Sequence, residues 1–178
     1  MPKLESKLHT APRLYGSRTK SPSNGWLVLP SGSASSSFKG HPVNITIYFD
    51  GGCQPNPGQM YGSYSIAIDG SEAISTTEDF GHGTNNVAEF EALYRAINRT
   101  ISLLEVRGVK PQHCRMNIFT DSTIVRNRIR HPNRGDNKSE GGKRMTAWTQ
   151  KCTWLLLQFK TVEINWNPRS VNVQKFGH

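Results

Sequence analysis

The chain has 178 residues, 35% of them hydrophobic, with a formal net charge of +9 and an isoelectric point near 9.7. That length suits one domain with a tail, and the apolar fraction suffices for one core. No run of eighteen apolar residues occurs, so a helical membrane span is not expected, and the basic excess points to a polyanionic partner, most often nucleic acid.

The excess is uneven. Residues 1–40 carry Lys3, Lys7, Arg13, Arg18, Lys20 and Lys39 against Glu5 alone, which is more than half of the total. This stretch has no apolar h-region, so no secretory leader is expected. It shows no sustained periodicity either. Ser21–Gly25 and Ser31–Ser37 read as linker, with Trp26-Leu27-Val28-Leu29 a short apolar island between them. Residues 1–41 are therefore read as a basic, mostly disordered arm able to hold nucleic acid loosely, and 42–178 as the folded domain. Cys53, Cys114 and Cys152 are odd in number and lack metal-ligand spacing. Free thiols in a reducing, cytoplasmic compartment are expected.

In chain order, Ile45–Asp50 alternates apolar and polar residues, the period of a half-buried strand. Gly51–Gly58 is turn chemistry, so Asp50 is expected at a strand end where the backbone opens. Met60–Asp69 and Ala73–Phe80 read as two further strands, and the short turns between the three predict an antiparallel meander. Val87, Phe90, Leu93, Tyr94, Ile97, Ile101 and Leu104 recur at helical spacing. They predict a long amphipathic helix from Asn86 to about Arg107, stopped by Gly108. Met116–Thr120 is a fourth strand and Ser122–Arg130 a short helix, ended by His131-Pro132. Asn133–Gly142 reads as a polar loop, Lys143–Phe159 as a helix, Val162–Trp166 as a fifth strand and Ser170–His178 as a final helical turn. Trp148, Cys152, Leu155 and Phe159 share one helical face, and both Trp148 and Trp154 are assigned to the core. The order implies an α/β domain with a five-stranded mixed sheet, a three-strand meander plus two parallel strands, flanked by helices.

Three acids stand out. Asp50 and Asp121 sit at predicted strand ends, where ligand-binding groups of α/β sheets collect. Glu89 lies on the core-facing side of the long helix, four residues before Leu93. Each has an ordinary reading: Asn86-Val87-Ala88-Glu89 is also a capping box, and Asp121 also suits a helix N-cap. Together, three acids converging in a cleft repel one another unless a cation neutralises them, and hard oxygen donors select Mg²⁺ or Mn²⁺.

Asp50-Gly51-Gly52-Cys53-Gln54-Pro55-Asn56-Pro57-Gly58, Thr84-Asn85-Asn86-Val87-Ala88-Glu89 and Thr120-Asp121-Ser122 resemble, in order, the three signature blocks of type 1 ribonuclease H. The resemblance runs from about Ile45 to the end of the chain. It implies a ribonuclease H-like fold and a metal-dependent endonuclease that hydrolyses the RNA strand of RNA–DNA hybrids, acting as a monomer. It also implies that Asp50, Glu89 and Asp121 bind two Mg²⁺ ions, with Mn²⁺ as a substitute. Gly51, Cys53, Asn56, Asn85 and Asn86 would meet the hybrid, and His82 and Thr84 a DNA phosphate. The family's fourth acid, a few residues after an Asn on the last helix, is missing: no carboxylate follows Glu163. His178 is the substitute expected as the fourth catalytic metal ligand. The loop His of many relatives is also missing. Arg169 stands there instead, either as a substrate or phosphate contact or as a solvated loop residue. The basic handle of some relatives is reduced to Arg134–Arg144. The altered C-terminus keeps open a second class of function, a catalytically weakened nucleic-acid-binding module of a replication or reverse-transcription machine.

Overall fold

A computed structural model describes residues 41–134 and 138–177. The N-terminal arm and His178 lie outside them. The described elements are β1 (Val43–Gln54), β2 (Gly58–Ile68), β3 (Ile74–Gly83), α1 (Asn85–Val106), β4 (Cys114–Thr120), α2 (Thr123–Arg130), α3 (Glu140–Leu156), β5 (Thr161–Trp166) and α4 (Arg169–Phe176).

The strands form one sheet in the order β3-β2-β1-β4-β5. β1–β2 and β2–β3 are antiparallel; β1–β4 and β4–β5 are parallel. The five-stranded mixed sheet expected from the sequence is therefore present. Its centre is β1, whose alternation decides the layers. Val43, Ile45, Ile47 and Phe49 are buried on one face beside Ile66, Ile68, Met116 and Ile118. α1 covers this face through Ala88, Phe90, Leu93 and Ile97, and α3 packs against α1. Each of these large side chains contributes about 1.5–3 kcal/mol by leaving water, so the position of α1 over β1 is strongly held. The opposite face carries Tyr48 stacked on Phe119 at 4.9 Å. α4 sits on this side, with Lys175 Nζ 3.9 Å from the Tyr48 ring centroid.

Two boundaries and one burial assignment differ from expectation. Asp50 does not end β1: the ladder continues through Gly51 to Gln54, paired with Gly62 to Gln59, and the turn narrows to Pro55-Asn56-Pro57. Glycines that read as turn residues are strand residues here, and they leave room for close neighbours: the α1 backbone at Gly51 and the Tyr61 ring at Gly52. The polar loop shrinks, because α3 begins at Glu140. Ser139 caps it, its hydroxyl accepting from Gly142 N at 3.0 Å, and Glu140 suits the helix start. The Gly141-Gly142 pair had masked this start. Trp154 is 68% exposed, against its assignment to the core. It falls off the α3 stripe of Met145, Thr149, Cys152, Leu155 and Leu156. Trp148 is half-buried and meets the edge of Tyr94 at 5.7 Å.

Candidate active site

A cleft of about 230 Å³ opens beside the C-terminal halves of β1 and β4. Asp50, Gly51, Gly52, Cys53, Tyr61, Asn85, Glu89, Asp121 and Arg169 line it. All three acids singled out in the sequence therefore share one cavity, contributed by β1, α1 and the residue after β4.

Their convergence has local causes. Gly51 lets α1 approach: a Cβ there would run into the backbone of Ala88 and Glu89. Asp50 is only 8% exposed, and one of its oxygens accepts from Gly51 N at 2.8 Å. Glu89 is no capping residue. The N-cap of α1 is Thr84, which makes no side-chain capping bond, and Glu89 Oε2 instead accepts from Ser122 Oγ at 2.6 Å. Asp121 is not a cap either. Ser122 is the N-cap of α2, its Oγ accepting from Val125 N at 3.2 Å. One hydroxyl thus starts a helix and fixes a cleft acid. Asp121 Oδ1 accepts from Asn172 Nδ2 at 3.0 Å, a contact made by α4.

The electrostatics follow. Burial pushes the Glu89 carboxyl up to about 7, and the charges of Asp121 and Asp50 add to the rise. The Ser122 hydrogen bond and the Arg169 guanidinium oppose it. Among the described residues, no three His, Cys, Asp or Glu side chains are drawn close enough to clasp one ion together. Each acid is held instead by a hydrogen bond at one oxygen, to Gly51, Ser122 or Asn172.

The model of the RNase H family matches residues 42–168. The chain belongs to the RNase H family. No curated protein matches it. Among solved structures it resembles RNase H1 from the halophilic archaeon Halobacterium salinarum NRC-1, at 22% identity and a TM-score of 0.59, over 72% of this chain and 89% of that one. It also resembles the N-terminal RNase H domain of Rv2228c from Mycobacterium tuberculosis, at 23% identity and 0.59, over 73% and 91%. A third is LC11-RNase H1 in complex with an RNA/DNA hybrid, again 23% identical with a TM-score of 0.59, over 73% and 89%. At these identities the structural likeness establishes the RNase H fold.

Within that fold the other selected residues fall into two groups. Asn85 lines the cleft, and its backbone N–H donates to Asn56 Oδ1 at 3.3 Å, tying the β1–β2 turn to the start of α1. Cys53 also lines the cleft but is buried, and its thiol donates to the carbonyls of Pro55 at 2.9 Å and Gly83 at 3.2 Å. It braces the turn against the end of β3. Asn86 is half-buried at the second position of α1. His82, exposed at the end of β3 opposite Gln59, and Thr84 lie outside the cleft lining, next to the helix start. Arg169 is exposed; it is the first residue of α4 and lines the cleft together with the acids. His178 lies outside the described residues. Sequence reasoning missed Ser122 as a partner of Glu89, Asn172 as a partner of Asp121, and Tyr61, whose ring packs at Gly52. Only Ser122 carried a signal, its place after Asp121.

Proposed function

We propose that this RNase H-family chain is a metal-dependent endonuclease that hydrolyses the RNA strand of RNA–DNA hybrids. The carrying observation is the shared cleft: Asp50, Glu89 and Asp121, from three separate elements, line one small cavity beside Arg169 and Asn85. A purely structural use of three acids would pair them with cations, yet here burial and then the charges of Asp121 and Asp50 raise the Glu89 carboxyl to about 7.

The donor set fits Mg²⁺ or Mn²⁺, because it is all oxygen and carries an unrelieved negative charge. Asp50, Glu89 and Asp121 are the residues that would hold two such ions, with His178 as a fourth ligand. Bound there, the metal supplies an activated water and stabilises the oxygen leaving the scissile phosphodiester. The chain's own groups supply position. Ser122 and Asn172 each hold one carboxylate oxygen, of Glu89 and Asp121 respectively. Arg169 adds a fixed positive charge against the substrate phosphate. The amides of Asn56, Asn85 and Asn86 suit 2′-hydroxyls, which both donate and accept, and so favour an RNA strand. His82 and Thr84, beside the N-terminus of α1, suit a phosphate of the DNA strand. Binding of this kind is independent of base sequence and sensitive to salt.

A labelled hybrid incubated with Mg²⁺ or Mn²⁺ tests the proposal. Cleavage of the RNA strand, abolished by Asp50→Asn, supports it. Salt-sensitive binding without cleavage under either metal overturns it in favour of the binding-module reading.

A further inference from the structure

α4 is short, but one face of it is built for the cleft. Arg169, Asn172 and Lys175 recur every three residues, so they share a side of the helix. The first lines the cleft, the second bonds Asp121 and the third seats on Tyr48. Asn172 is the unusual member, because it is fully buried. A buried amide is costly unless both ends are hydrogen-bonded. Its Nδ2 donates to Asp121 Oδ1, and its Oδ1 accepts from Asn167 Nδ2, each at 3.0 Å.

The direction of this chain of bonds is set by charge. An ionised carboxylate only accepts, so Asn172 must turn its NH₂ toward Asp121. Its carbonyl oxygen then faces Asn167, which must also present an NH₂. That leaves Asn167 Oδ1 buried with no partner among the described residues. An orphaned buried acceptor costs stability, so the arrangement carries a local penalty. Asn167 is pinned as well: its backbone N–H donates to the Thr120 carbonyl at 2.9 Å, next to Asp121 in sequence. One residue therefore holds both the backbone before Asp121 and the amide that grips its side chain.

We propose that Asn172, oriented by Asn167, is a positioning residue for Asp121, fixing one carboxylate oxygen so that the other is aimed at a divalent cation in the cleft. The proposal rests on the metal-dependent reading above and deepens it. Partners that orient metal-binding side chains are typically worth about 10–100-fold in metal affinity or activity.

The test uses the full chain and Mn²⁺ binding measured by calorimetry, alongside hybrid cleavage. Asn172→Ala is expected to weaken Mn²⁺ binding about tenfold or more and to lower kcat in step, with KM for the hybrid changed less than about twofold. Asn167→Ala, which touches no acid, is expected to weaken Mn²⁺ binding by a smaller factor. The double variant is expected to fall no further than Asn172→Ala alone, because the two act through one path. Should Asn172→Ala fail to fold, the Asn167→Ala result decides. Mn²⁺ affinities within about twofold of the native chain, whatever happens to the melting temperature, overturn the positioning role while native cleavage leaves the nuclease reading intact. A native chain that neither binds Mn²⁺ nor cleaves overturns both.

Discussion

Glu89 gives the sharpest physical prediction. Its carboxyl stands near 7 in the folded chain against an ordinary 4.5, first because it is buried and then because Asp121 and Asp50 face it. The folded state therefore holds the proton more tightly than the unfolded chain. Below about pH 4.5 both states are protonated and no penalty exists. As pH rises through the interval up to about 7, the unfolded chain ionises first and stability falls; above it, the full penalty applies. The difference corresponds to about 3 kcal/mol. Glu89→Gln removes the titration but keeps the shape, and its amide oxygen accepts the Ser122 hydroxyl. Without divalent ions, near pH 8, the variant is expected to be more stable than the native chain by up to ~3 kcal/mol, about 6–12 °C in Tm. Near pH 4.5 the two should melt together. Mn²⁺ should raise the native Tm near pH 8 and leave the variant nearly unmoved. Thermal melts in EDTA at several pH values measure this. A Glu89→Gln variant no more stable than native near pH 8, or a gap that does not change with pH, refutes the assignment of the strain to this carboxylate.

Gly51→Ala should place a Cβ against the backbone of Ala88 and Glu89. A loss of about 1–3 kcal/mol in denaturant melts is expected, with cleavage falling further than stability alone explains. Trp154→Ala should change stability by less than ~0.5 kcal/mol, since the ring is largely in solvent; a loss above ~2 kcal/mol would place the ring in a contact the fold does not contain. Arg169→Gln should raise the Glu89 titration further, because the guanidinium now opposes the rise. It should also flatten the salt dependence of hybrid binding by about one phosphate contact, as measured by titration across salt concentrations.

What the sequence revealed depended on whether the signal was periodic or spatial. The alternation of Ile45, Ile47 and Phe49 and the helical recurrence of Val87, Phe90, Leu93 and Ile97 reported burial directly, and all seven are buried. The extension of β1 through Gly51 and Gly52 was hidden, because glycine reads as a turn when its neighbours are unseen. Here it marks close approach, of α1 at Gly51 and of the Tyr61 ring at Gly52. The start of α3 was hidden for the same reason by Gly141 and Gly142. The three acids were legible as residue types at element ends. Their partners were not: Ser122 reaches Glu89 across 33 residues, and Asn172 reaches Asp121 across 51. Pairings of that kind belong to the tertiary fold and leave no local trace.

These long-range partners also explain how one cleft can keep three acids without collapsing or unfolding. Direct cation pairing would neutralise the acids but also occupy them, as Arg95 of α1 does with Glu78 of β3 and Glu91 of α1. The cleft uses neutral donors instead: a backbone N–H for Asp50, a hydroxyl for Glu89 and an amide for Asp121. Neutral donors orient a carboxylate without cancelling its charge. Arg169 is the exception: its charge acts on Glu89 and lowers its proton affinity. Burial first, and then the charges of Asp121 and Asp50, raise the proton affinity of Glu89, so a divalent cation bound as proposed would relieve strain as well as gain ligands. An arrangement optimised for stability would have paired these acids with cations; this one holds them with neutral donors and leaves Glu89 with a raised proton affinity.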